Sequence, residues 1–326
     1  MSKRFLNWIS ALVVVTAGIF AGPAWAQLDD VSGLILSPEE VQRLRKIVDA
    51  PVDPGSLTMK RIEAYREQQR AAQLLGDREQ ADRIMEAWLP IDPAGDAKWK
   101  SIHWHWDRGR RDESFKAAEE MIQLRQWPPD NVRLRSTYAF QKIQENDLKV
   151  AAEQLNKAES IVKYEFGNVP RRGAAPYWIA RAELEFYLTK SELESALGKW
   201  SQAIESSKLA VMKGKEVFRM VSLAQNDDYR SAGRQMILLS QGQLAVRQID
   251  AGLYSDAEWT FRDTMKLIKE YGFNENMLPN FYDRVADLYL ANGQFQDALS
   301  FSTKSEKILL NQGVGQDSPK WLANQR

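Results

Sequence analysis

The chain has no cysteine in its 326 residues. No disulfide can form, no thiolate is available as nucleophile or metal ligand, and no lipid-modified cysteine can tether the protein to a membrane. Histidine is almost as scarce, with only His103 and His105. A nucleophilic serine would have no other imidazole to serve it as base, and no G-x-S-x-G elbow or G-x4-G-K-[S/T] phosphate loop occurs. Neither sign of charge is in excess, with 44 Lys and Arg against 44 Asp and Glu. A nucleic-acid binder usually shows a large basic surplus, so no nucleic-acid partner is expected. Beyond the N-terminus no apolar run approaches the roughly 18–20 residues that span a bilayer. From about Leu57 onward the alternation of a β-strand is hard to find, and the helical period dominates.

What is present begins with an export signal. Lys3 and Arg4 precede an apolar run from Trp8 to Ala21, Gly22-Pro23 breaks it, and Ala24-Trp25-Ala26 forms a small-x-small cleavage site. Cleavage is expected between Ala26 and Gln27, which leaves a protein that is not integral to the membrane. Residues 1–26 carry two basic residues and no acid, so the mature chain has 42 basic against 44 acidic residues. The periplasm is the expected compartment, with secretion as the alternative.

The mature chain divides into a lead-in with one helix (27–56), a repeat array (57–310), and a C-terminal turn with a capping helix (311–326). Ser37-Pro38-Glu39-Glu40 marks the first helix start, with a Ser cap and Pro in the first turn. Within the array a glycine stands five residues before an alanine four times: Gly76 and Ala81, Gly198 and Ala203, Gly252 and Ala257, Gly293 and Ala298. Weaker copies centre on Ala118 and Ala151. A large apolar residue lies three before the alanine in five of the six: Phe115, Leu148, Trp200, Tyr254 and Phe295. Trp321 is the expected cap over the last apolar face.

This small–turn–aromatic–Ala pattern resembles the tetratricopeptide (TPR) repeat family. The resemblance implies an all-α fold, a right-handed α-solenoid of about six TPR-like helix pairs whose first helices line a concave groove. Carried over by the alanine anchors, the groove positions are Glu63, Arg66 and Arg70 in the first pair. They are Lys100, His103 and Asp107 in the second, and Arg133, Ser136 and Phe140 in the third. Glu185, Leu188 and Glu192 follow, then Leu239, Gly242 and Val246, and finally Asn280, Asp283 and Asp287. The groove is therefore expected to be basic toward the N-terminus and acidic toward the C-terminus. It lacks the Lys/Asn clamp by which some TPR domains hold C-terminal carboxylates.

The function expected from this reading is a non-catalytic scaffold that binds protein partners of the cell envelope, with no cofactor. Two alternatives stay open. Five tryptophans within 88–127 (Trp88, Trp99, Trp104, Trp106, Trp127) offer rings on which a glycan can stack. A hydrolase on a helical frame is the other, although no carboxylate is marked out for it. His103-Trp104-His105 invites a metal reading, but positions i and i+2 of a helix point about 200° apart and cannot share one ion.

Overall fold

The structure is a computed structural model, and it describes residues 38–75, 77–222, 227–271, 273 and 278–311. The expected signal segment, most of the lead-in and Trp321 lie outside the described residues. The fold is all-α, and among the described residues there is no strand. Thirteen α-helices follow one another among the described residues: α1 Pro38–Val48, α2 Thr58–Leu75, α3 Arg78–Trp88, α4 Asp96–Asp107, α5 Arg111–Leu124, α6 Pro128–Gln144 and α7 Leu148–Tyr164. A short 3-10 turn, Phe166–Asn168, precedes α8 Ala175–Ala196, α9 Trp200–Ser222, α10 Asp227–Asp250, α11 Tyr254–Glu270, α12 Pro279–Ala291 and α13 Phe295–Asn311. Among the described residues no helix is long and apolar enough to cross a membrane.

The turns show why the chain folds back where it does. Gly109, Asn146, Gly198, Gly252 and Gly293 all have φ between 56° and 75°, the left-handed region that glycine enters freely and asparagine tolerates. Each stands two residues after one helix and two before the next. In each turn the following N–H reaches back to a carbonyl five residues earlier: Arg110 to His105, Asp147 to Lys142, Lys199 to Glu194, Leu253 to Gln248 and Gln294 to Tyr289. This is the Schellman closure, which satisfies carbonyls that a helix end would leave open. The Asp77 N–H makes the same reach to Ala72.

Five residues past each left-handed position lies a small, buried residue: Ser114, Ala151, Ala203, Ala257 and Ala298. A small side chain at that point lets two helices approach closely. The first of these corrects the sequence register at Ala118. Its turn residue is Gly109, so its small residue is Ser114 and not Ala118. The Ser114 hydroxyl donates to the Ile102 carbonyl at 2.6 Å, which satisfies a polar group at a helix contact.

Helices touch their neighbours in chain order, and α6 also touches α8, α8 touches α10, and α10 touches α12. α6, α8 and residues 233–250 of α10 are buried on nearly all sides, while α3, α7 and α11 keep one apolar stripe and one solvated face. The apolar interior among the described residues falls into seven clusters, each drawn from helices near one another in sequence. At one contact the helix backbones approach very closely. A Cβ on Gly233 of α10 would stand 2.2 Å from a Val221 methyl of α9, and one on Gly214 of α9 would stand 2.6 Å from the Ser240 hydroxyl of α10.

Candidate functional site

The candidate site is the run of faces that the even-numbered helices turn toward one another. It begins between α2 and α4, where Arg66 pairs with Asp96 at 2.7 Å with both side chains half exposed. Arg133, on α6, lies over the Trp99 ring of α4 at 4.8 Å and over the Trp178 ring of α8 at 5.2 Å. The same guanidinium donates to Glu185 at 3.0 Å, and Arg181 donates to the other Glu185 oxygen at 2.9 Å. Arg181 also lies over Trp178 at 5.5 Å and donates to the Tyr177 hydroxyl at 3.4 Å.

This node is largely dry. Glu185 is fully enclosed, and the two arginines keep only a sliver of exposure. Burial pushes the Glu185 carboxyl up, but the two guanidinium groups more than offset it, so it sits below the usual carboxylate range. At Asp130 burial prevails and holds the carboxyl above its ordinary value, against the pull of Arg133 and Arg125 and with Glu185 and Asp96 adding to it. Two arginines, three acids and three aromatic rings thus meet across α4, α6 and α8.

A second node joins α8 to α10. Arg247 contacts Glu192 at 2.7 Å, Asp250 at 2.8 Å and the Ser195 hydroxyl at 2.6 Å. The Gln243 amide donates to Glu192 at 2.9 Å and to the Leu188 carbonyl at 3.0 Å. Burial raises the Asp250 carboxyl, Arg247 lowers it, and Glu192 raises it further. Arg284 of α12 acts on the same carboxyl, so the polar chain continues to the last pair.

The structure places the sequence-predicted residues unevenly. Arg66, Arg133 and Glu192 lie on this wall, but each is already paired with an opposite charge from the next even-numbered helix. At these three residues the expected charge is therefore met within the protein. Phe140 is corrected outright: at 3 % exposure it is core, packed with Ala180, Leu184 and Leu188, and Ser136 is buried beside it. In α4 the Ala118 anchor slid the predicted set one turn too far. The contacts with Arg66 and Arg133 place Asp96 and Trp99 on the wall, with His103 common to both sets, while Lys100 is partly buried and Asp107 is exposed at the helix end. Arg70 is exposed on α2. Sequence reasoning missed Tyr177, Trp178, Arg181 and Arg247, and it named Trp99 only as a ring for a glycan, not as part of this wall. Gly109 was the signal that would have found Trp99, and Arg181 stands one helical turn before Glu185.

Asp283 and Asp287 lie on α12. Burial raises the Asp283 carboxyl to about 6, with Asp287 adding to the effect and the Ser305 hydroxyl and Arg284 opposing it. Asp287 is also raised, chiefly by desolvation, although 57 % of its side chain is exposed, so its surroundings count for less. A carboxyl whose folded value lies above its unfolded one favours folding in its protonated form. Its cost is full at neutral pH and relieved as pH falls through about 6. Asp283→Asn should therefore raise stability by about 1 kcal/mol at pH 7.5, and the gain should fade by about pH 4.5. Urea melts at both pH values check this, and an equal gain at both pH values would contradict it.

The tryptophan-rich stretch offers few free rings. Trp88, Trp104 and Trp106 are buried, Trp99 carries Arg133, and Trp127 is 37 % exposed. A scan against protein-family models and a search of the curated proteins find no match to this chain.

Proposed function

We propose that the helices form a right-handed solenoid of six TPR-like pairs, α2–α3 through α12–α13, with α1 packed on the first. The protein is then a non-catalytic scaffold exported to the periplasm, and it holds a protein partner of the envelope along the wall of even-numbered helices. The observation that carries this reading is the contact of α6 with α8, α8 with α10 and α10 with α12, behind turns that repeat one geometry. Stacked first helices of successive pairs generate such contacts, and solenoids use the resulting extended surface for binding. Trp99, Tyr177 and Trp178, held among Arg133 and Arg181, are the residue types that dominate protein interfaces.

The shape has its own test. A compact domain of about 300 residues has a radius of gyration near 19 Å, and small-angle scattering of the mature chain should give a clearly larger value. A value near 19 Å would count against the solenoid. For export, N-terminal sequencing of the periplasmic product should begin at Gln27, whereas a membrane-held product that keeps Met1 would contradict it. For the binding wall, the mature chain and a Trp99→Ala/Trp178→Ala variant should be compared in pull-downs from envelope extract. A protein held by the first and lost by the folded variant supports the wall, and equal retention by both removes it.

A further inference from the structure

The turn between α4 and α5 brings Arg78, Arg108 and Arg110 close together. Arg108 and Arg110 both hold their guanidinium groups over the Trp104 indole, at 5.6 and 4.1 Å from the ring centre. Arg78, from α3, donates to the Asp107 carbonyl at the same turn, at 3.3 Å. Asp82 answers this charge by pairing with Arg108, and it also accepts the Trp104 indole N–H at 2.8 Å. Among the described residues the Arg110 guanidinium has no ion pair, and the Nε atoms of Arg108 and Arg110 are buried without a hydrogen-bond partner. Nearby arginines are treated differently: Arg111 pairs with Glu145 at 3.1 Å, and Arg83 pairs with Glu79 at 2.5 Å.

Three features converge here. Burial, with Arg78 and Arg110 close by, lowers the Arg108 guanidinium to about 10, so these cations repel one another. Helix α5 starts at the same point with Arg110 as its N-cap; the Arg110 side chain makes no capping hydrogen bond, and the Arg111 N–H donates to the Gly109 carbonyl at 3.0 Å. Trp104 supplies a rigid floor beneath the guanidinium groups. Asp112 and Glu113 of the first turn of α5 are exposed to solvent.

We propose that Arg78, Arg108 and Arg110 bind an oxyanion of the phosphate class at the α4–α5 turn. The forked N–H groups of guanidinium match phosphate oxygens, and an open helix N-terminus adds further donors. The bound anion would relieve the repulsion among the three cations. This site lies apart from the wall of even-numbered helices and does not depend on a protein partner.

A free phosphate ion and a phosphate ester on a larger molecule present the same oxygens. The test is thermal melting of the mature chain in sodium phosphate, in glycerol 3-phosphate and in sodium chloride at matched ionic strength. At about tenfold the dissociation constant, the bound anion should raise Tm by about 2–4 °C over chloride. A larger rise with glycerol 3-phosphate assigns the site to an ester, and a larger rise with inorganic phosphate to the free ion. The rise should vanish in Arg110→Gln and in Arg78→Gln, and persist in Arg83→Gln. Arg78 is exposed, so that variant keeps the test open if Arg110→Gln fails to fold. No rise over chloride with either anion, or an equal rise in Arg78→Gln and the parent chain, would overturn the proposal.

Discussion

Glu185→Ala should lower stability by roughly 3–5 kcal/mol, the largest loss expected from any single surface-distant acid in this chain. The change deletes the one carboxylate that Arg133 and Arg181 share, at 3.0 and 2.9 Å. Two guanidinium groups would then stand in a nearly dry site beside indole rings with like charges facing each other. Removing one partner of a buried ion pair costs more than the pair itself contributes, because the orphaned charge cannot recover its hydration. Glu185→Gln should cost less, since an amide oxygen still accepts from one arginine. An exposed pair gives the contrast: Glu40 meets Arg43 at 2.6 Å on the surface of α1, and Glu40→Ala should leave stability nearly unchanged. The pH dependence follows from the sign of the shift. Glu185 has a folded value below its ordinary one, so its contribution is present at neutral pH and disappears as pH falls through the folded value. Chemical denaturation at pH 7 measures the loss. A Glu185→Ala protein that unfolds within error of the parent would show that water reaches both arginines.

Gly233→Leu should cost about 3 kcal/mol, the upper end of what overpacking usually does. Even the first carbon of a new side chain would stand 2.2 Å from the Val221 methyl, well inside van der Waals contact, and 3.5 Å from the Phe218 Cα. Valine is β-branched and stiff about χ1, so that methyl cannot swing aside at little cost. Leucine adds three more carbons to the same seam and would push α10 away from α9. The smaller change Gly233→Ala gains up to about 1 kcal/mol of helix propensity, and it should still lose stability overall. Gly214→Ala differs in kind, because its first obstacle is the Ser240 hydroxyl, which can rotate. Thermal melts of Gly233→Ala with and without Val221→Ala distinguish the cause. If shortening Val221 does not recover part of the loss, the close approach at this seam is wrong.

The repeating turns were legible in the sequence because a left-handed residue leaves a chemical trace. Gly198, Gly252 and Gly293 were found by their fixed distance from an alanine, and each has the positive φ that explains it. The same search failed in the second pair, where Ser114 fills the place of alanine and Ala118 stands one turn further on. The all-α class was readable for the same local reason, since helical periodicity lies within each segment. The polar contacts between the even-numbered helices were not readable. Arg133 and Glu185 stand 52 residues apart, and nothing local to either predicts that they meet. Of the charges assigned to a groove from spacing, Arg133 pairs with Glu185, while Arg66 and Glu192 pair with Asp96 and Arg247, which the spacing did not pick out. Phe140 was misassigned because α6 is enclosed on nearly every side, so the face named from the repeat pattern is covered by α8.

The division of the apolar interior into separate clusters has a consequence for how this gene can change. Each cluster is assembled from helices close together in the chain, so its residues answer mainly to one another. A substitution near Phe261 and Phe281 asks for compensation there and leaves the set around Trp88 and Ala97 untouched. Drift can therefore proceed separately at the two ends of the protein. In the proposed solenoid a whole pair with its turn glycine is also a unit that duplication or deletion can add or remove, provided that the arginine–carboxylate links across the new junction are restored.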